Sequence, residues 1–165
     1  PDIWTLALIA SLAAANADTW ATEIGGMSGR TPRRITNFRA VEAGTSGGIS
    51  APGTLAALMG ALLIGCIGGI GWRLHQLPAN QPPIVLTLLV TSGGFLGCLI
   101  DSLLGATVQA VYRCPNCLTA TEQQVHHCGT PTQLTSGVRW INNDVVNALS
   151  VAVGALLAII VSLVM

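Results

Sequence analysis

The chain has no lysine. All seven of its cations are arginine, and seven Asp and Glu balance them to a net charge of zero. Without a basic excess there is no electrostatic footprint for nucleic acid, and none is expected as a partner. Charge is also scarce: charged residues are 8% of the chain, where soluble domains carry about 25%. Aromatic residues are few at 4%, yet 51% of the residues are hydrophobic and 19 are glycine. That composition excludes an ordinary soluble domain and suits apolar helices packed through small residues. The first residue is Pro1, and no charged segment precedes the first apolar run. A signal peptide is therefore not expected, and the chain reads as processed or partial. The five cysteines are an odd number, which argues against a simple disulfide framework. Cys66 and Cys98 sit in apolar runs and read as small hydrophobes.

Against that apolar background four hydrophobic segments stand out, near 3–15 (extending as helix to 24), 53–74, 84–112 and 145–165. About 20 apolar helical residues cross a bilayer core. The expectation is an all-α polytopic transmembrane bundle of about four spanning helices, forming one integral-membrane domain over 1–165. The first segment is short, so its polar continuation needs shielding by other helices. Six of the seven arginines fall in the connections 25–52 and 113–144, which a four-span topology puts on one side. The positive-inside rule makes that side cytoplasmic, including the 113–144 loop, and places Pro1 outside. Upstream helices or a homo-oligomer would complete such a bundle.

The polar residues that remain are concentrated. Asp101 is the one charge in 84–112; a carboxylate at membrane depth costs roughly 2.5–3.5 kcal/mol and usually faces a bundle interior or wet cavity. Gly94, Gly97, Asp101 and Gly105 share a helical stripe, as do Asn143, Asn147, Ser150 and Gly154. Both stripes carry polar groups and suggest a functional cavity; the small-residue stripe Gly53, Ala57, Gly60, Gly68 and Gly71 suggests packing alone. Asp18 and Glu23 are two further carboxylates near a membrane boundary. On a straight helix they lie about 140° apart, so both reach one ion only if the helix breaks or the cavity wraps around it. Otherwise they are interfacial residues at a helix end.

Three loop constellations follow. Gly44, Thr45, Ser46, Gly47, Gly48 and Ser50 precede the second helix, where backbone N–H groups and hydroxyls can face phosphate. The loop has no lysine and is not a Walker loop, and such loops also merely turn the chain. Arg30, Arg33, Arg34 and Arg39 suit phosphate, lipid headgroups or topology alone. Cys114 and Cys117, followed by His126, His127 and Cys128, form either a structural zinc site or a loop of reduced thiols. In the zinc reading Cys114, Cys117 and Cys128 are joined by His126 or His127, with His127 the ligand chosen. Finally, Asn142, Asn143, Asp144 and Asn147 crowd the start of the fourth helix. Asn143 or Asp144 would cap it, and the remainder would suit Mg²⁺, nucleotide or substrate.

The segments ADTWATEIG, RI followed after ten intervening residues by SGGIS, DSLLGATVQ and WINNDVVN appear in one order across nearly the whole chain. Together they resemble an integral-membrane family formerly labelled a domain of unknown function. That family includes transmembrane protein 19 and the plant phytyl-phosphate kinase of the vitamin E pathway. Its members are generally longer, and this chain resembles their C-terminal part. The resemblance implies phosphorylation of an isoprenoid monophosphate to the diphosphate. On that reading Mg²⁺ would be held by Asp18, Glu23 and Asp101, the phosphates of the nucleotide (CTP) by the 44–50 loop, and the site would be completed by Asn143, Asp144 and Asn147. Two other readings stay open: cytidylyl transfer to a lipid phosphate, and a transporter or lipid carrier using an acidic relay. Inverted repeats would favour the transporter, and the sequence contains none.

Overall fold

The computed structural model describes residues 3–74 and 81–164. Residues 75–80, which join the second and third hydrophobic segments, and the placement of Pro1 lie outside them. Four long helices dominate: α1 (Ile3–Met27), α2 (Ala51–Arg73), α3 (Pro83–Thr107) and α4 (Asn143–Val164). Helices α2, α3 and α4 are each long and apolar enough to cross a bilayer. The fourth, α1, is equally long but polar in its second half, from Asn16 to Glu23. It packs against all three others, while α2 and α4 flank the α1–α3 pair. The bundle thereby shields part of the polar half of α1: Asn16 and Asp18 are partly buried, while Thr19, Thr22 and Glu23 stay exposed.

Small residues set the spacing. On α1, Ala10, Ala13, Ala14 and Ala17 are buried in sequence along one face. A Cβ placed on Gly97 would sit 2.9 Å from the Ala14 Cβ and 3.0 Å from the Ser150 carbonyl. The α2 stripe behaves as expected: a Cβ on Gly53 would lie 2.8 Å from the Ala21 carbonyl, and one on Gly60 3.1 Å from the Asn16 carbonyl. Such approach lets dispersion act between backbones where lipid offers no hydrophobic drive. The larger side chains collect at one end, where Leu6, Leu86, Leu89, Val90 and Trp72 form an apolar cluster.

Two small β lobes cap the opposite end of the bundle, where α1 and α3 finish and α2 and α4 begin. In the first, β1 (Arg33–Arg34) pairs antiparallel with β2 (Gly48–Ile49). In the second, β3 (Val111–Arg113) is the central strand between β4 (Ala120–Thr121) and β5 (Gln133–Ser136). The apolar run 84–112 is thus not one helix. It leaves the helix at Thr107, and its β-branched and aromatic end, Val111-Tyr112, becomes a strand. At the start of α4 the cap is Asn142, whose Oδ1 accepts from the Val145 N–H at 3.0 Å. Neither Asn143 nor Asp144 has that role; both lie within the first helical turn, after the cap position.

Candidate functional site

Asp18 and Asp101 are 83 positions apart in sequence, and the bundle brings them to one cavity. It has a volume of about 130 Å³ and is lined by Ala15, Asp18, Thr19, Asp101, Asn147, Ser150 and Val151. Helices α1, α3 and α4 each contribute. Asn147 lies one turn inside α4, and Asp101 is six residues, about 9 Å of helix rise, from the end of α3. Both carboxylates are partly buried. Ser150 Oγ stands 3.0 Å from Asp101 Oδ2 and 2.9 Å from the Asn147 carbonyl, so its single proton has two acceptors. The Cys98 thiol faces Asp18 Oδ1 at 4.0 Å. The stripe of α3 therefore does two things: Gly94 and Gly97 admit the neighbouring helices, and Asp101 enters the space they leave.

Glu23 does not reach this cavity. Helix α1 runs unbroken from Ile3 to Met27, so the 140° offset is retained and Glu23 is exposed. Asn143 and Asp144 are exposed too and are not among the lining residues. Asn143 shares the helical face of Asn147 one turn nearer the lobes. Ser150 was visible in the sequence on the α4 stripe, but its bond to Asp101 is a tertiary contact that no local pattern announces.

A second cavity, of about 730 Å³, opens where α2 begins. It is lined on its apolar side by Leu55, Leu58 and Phe95 and on its polar side by Arg30, Thr31, Arg33 and Ser50. The Arg33 guanidinium donates to the Phe38 carbonyl at 2.8 Å, which holds it on that side. An apolar trough ends here in two guanidinium groups beside a helix N-terminus, an arrangement that favours an anionic head on an apolar tail.

The glycine loop is more occupied than its sequence suggested. Ser50 caps α2 by accepting from the Gly53 N–H at 3.2 Å. Thr45 Oγ1 donates to the Glu42 carbonyl at 2.7 Å, and Ser46 Oγ donates to Glu122 Oε1 at 2.6 Å. Gly47, at φ +72°, rests against Ala106 of α3 with no room for a Cβ. The loop hydroxyls are thus committed to the fold, and Gly47 serves chain reversal and close packing. Glu122, exposed and not marked by any sequence pattern, also accepts from Gln109 Nε2 at 2.8 Å. It ties the two lobes together.

In the second lobe, ligand atoms of Cys114, Cys117, His126 and Cys128 all lie within 4.8 Å of one another. His126 is the histidine that joins them. Its ring is buried while the neighbouring His127 ring is exposed, although the two rings lie 3.8 Å apart, because the 126–129 turn directs only the first towards the thiols. Hydrogen bonding with Thr130 and then with His126 brings the Cys128 thiol down to about 5. The Cys117 thiol, hydrogen-bonded to Cys128, is pushed up to about 11.

Comparison with known proteins gives this geometry a setting. A family model described as "Integral membrane protein DUF92" matches residues 1–155. The chain is 33% identical over 158 residues to Protein PGR of Arabidopsis thaliana, covering 94% of this chain and 54% of that protein. It is 43% identical over 104 residues to an uncharacterized membrane protein of Methanocaldococcus jannaschii, covering 62% and 40%. It is 27% identical over 158 residues to the chloroplastic protein VTE6 of Arabidopsis thaliana, covering 96% and 38%. The chain thus spans about half or less of the length of these curated relatives. No solved structure matches it.

Proposed function

This chain belongs to the DUF92 family of multi-pass integral membrane proteins, and from that premise we propose that it carries the phosphoryl-transfer site of an isoprenoid-phosphate kinase. The acceptor is a prenyl or phytyl monophosphate and the product is its diphosphate. The donor is a nucleoside triphosphate, with CTP favoured by the resemblance of the sequence motifs to the phytyl-phosphate kinase family. One observation carries the reading: two carboxylates from distant segments converge in one cavity between α1, α3 and α4, in a bundle that also holds an apolar trough bordered by arginine at the start of α2. Buried acids are costly in a bilayer and persist where they do work.

In this reading the isoprenoid tail lies along Leu55, Leu58 and Phe95, and Arg30 and Arg33 bind its phosphate. The donor set of the smaller cavity fits Mg²⁺: Asp18, Asp101, Asn147 and Ser150 offer hard oxygen atoms, and the volume admits a partly hydrated ion. Asp18 and Asp101 would hold the ion and Asn147 would add an amide oxygen, while Ser150 fixes the Asp101 carboxylate. Bound there, Mg²⁺ supplies charge neutralisation of the triphosphate. An oxygen of the acceptor phosphate attacks the γ-phosphorus. The bond to the bridging oxygen breaks, and the nucleoside diphosphate leaves with its electron pair. The acceptor is already an anion at neutral pH, so positioning and charge neutralisation dominate over base catalysis. The arginine-bearing lobes face the cytoplasm, where nucleotide is available.

The test is product analysis with the purified full-length protein in lipid, isoprenoid monophosphate and γ-labelled CTP or ATP. Label in an isoprenoid diphosphate, with release of the nucleoside diphosphate, is expected. Release of pyrophosphate with a cytidylylated lipid would replace the kinase by a cytidylyltransferase, and no transfer with either nucleotide would overturn both.

A further inference from the structure

The four side chains in the second lobe form a donor set that the phosphoryl-transfer chemistry does not use. We propose that Cys114, Cys117, Cys128 and His126 Nδ1 bind one structural Zn²⁺, which closes the 111–136 lobe and so fixes Glu122 against the glycine loop. The geometry carries this in three ways. First, Cys114 Sγ and Cys128 Sγ are 3.7 Å apart. Two thiolates on a tetrahedral zinc, with Zn–S about 2.3 Å, stand about 3.8 Å apart. A disulfide needs about 2.05 Å between sulfurs, so the spacing is that of co-ligands.

Second, the outer contacts are those a metal ligand needs. His126 turns Nδ1 towards Cys128 Sγ at 3.1 Å, while Nε2 is 3.2 Å from Thr119 Oγ1. A hydrogen bond on the distal nitrogen fixes which nitrogen faces the metal. The Cys117 N–H donates to Cys114 Sγ at 3.4 Å, which stabilises negative charge on that sulfur. Third, the backbone is folded around the cluster as two tight turns. The Leu118 N–H donates to the Cys114 carbonyl at 2.9 Å and the Gly129 N–H to the His126 carbonyl at 2.8 Å. Leu118 itself sits at φ +57°, a position a bulky residue adopts only when its surroundings dictate it. Three thiolates and an imidazole leave no position for water, so the site is structural rather than catalytic.

The position of the cluster gives it a purpose. β4 ends at Thr121, between the ligand pairs Cys114/Cys117 and His126/Cys128, and the next residue is Glu122. That carboxylate accepts from Ser46 Oγ and Gln109 Nε2. With no apolar core of its own beyond Tyr112 and Cys114, so small a lobe needs a staple to hold Glu122 in register.

The experiment is metal analysis of the full-length protein purified in detergent without chelator. One zinc per chain is expected, with Cys128→Ser and His126→Ala each losing it and His127→Ala retaining it. Replacement by Co²⁺ should give the visible bands of a tetrahedral thiolate site. Should the ligand variants not yield folded protein, titration of the wild type with a mercurial gives the same answer, releasing one zinc as the three thiols are consumed. Zinc below a tenth of an equivalent, retention by Cys128→Ser, loss from His127→Ala in place of His126→Ala, or a Cys114–Cys128 disulfide by mass spectrometry would each overturn the proposal. It is independent of the kinase reading, since zinc content is measured without turnover.

Discussion

Ser150 Oγ stands 3.0 Å from Asp101 Oδ2, joining α4 to α3 at the floor of the acidic cavity. Ser150 lies where α4 comes close to α3, its own carbonyl 3.0 Å from where a Cβ on Gly97 would sit. The hydroxyl orients a carboxylate that would otherwise turn freely in a space wider than itself. Asp101→Asn and Asp18→Asn should each lower Mg²⁺-dependent transfer by about 100-fold or more, as loss of a charge-stabilising group does. Ser150→Ala, which removes a supporting contact, should cost about 10–100-fold and raise the Mg²⁺ concentration for half-maximal rate. Steady-state kinetics across a Mg²⁺ series distinguish the two patterns, and near-normal turnover in Asp101→Asn would remove Asp101 from the metal site.

Arg30→Gln and Arg33→Gln should raise the KM for isoprenoid monophosphate with a smaller effect on the KM for nucleotide. The double variant should lose more than either single one, because both guanidinium groups line one trough. Competition with a prenyl alcohol of the same length provides the control: its affinity rests on Leu55, Leu58 and Phe95 and should not change. If nucleotide KM rises instead, the trough holds the donor.

Gly93 and Gly154 face each other across α3 and α4. A Cβ on Gly93 would lie 2.7 Å from the Gly154 carbonyl, and one on Gly154 would lie 2.8 Å from the Gly93 carbonyl. Gly154→Val should therefore separate the helices and lower stability by about 1–3 kcal/mol. Gly26→Ala, where nothing lies within 4 Å, should have little effect. Thermal unfolding in detergent, followed by helical circular dichroism, compares the two; equal melting would show that the helices do not pack as described.

Sidedness has a direct test. Ser28→Cys and Gln81→Cys lie at opposite ends of α2 in sequence. An impermeant maleimide applied to sealed vesicles should label them from opposite sides, each read as the increase over the native cysteines. Ser28 should react only from the cytoplasmic side. Labelling of both from the same side would invalidate the assigned topology.

The helical architecture was legible because its cause is local. Apolar runs of bilayer length, proline at their starts and small residues at helical spacing all act within one segment, and the observed helices begin and end within a few residues of the runs. The third run misled by five residues because Val111 and Tyr112 are as apolar as the helix before them. Hydropathy does not separate a strand edge from a helix end; the pairing of β3 with β4 and β5 does.

The site divides along the same line. The sequence by itself determined that Asp101 had to find a polar setting, since an isolated carboxylate in hydrocarbon is too costly to leave alone. It also determined that Cys114, Cys117 and Cys128 carried metal-ligand spacing. Only the tertiary structure decided which partners they met. A continuous α1 brought Asp18 to Asp101 and turned Glu23 away, α4 supplied Ser150 and Asn147, and the turn at 126–129 chose His126 over His127. Glu122 came to Ser46 across 76 residues. Local rules fix which residue types can sit in a membrane and at what period, whereas the meeting of particular side chains depends on helix order, crossing and rotation, which arise only when the segments pack together.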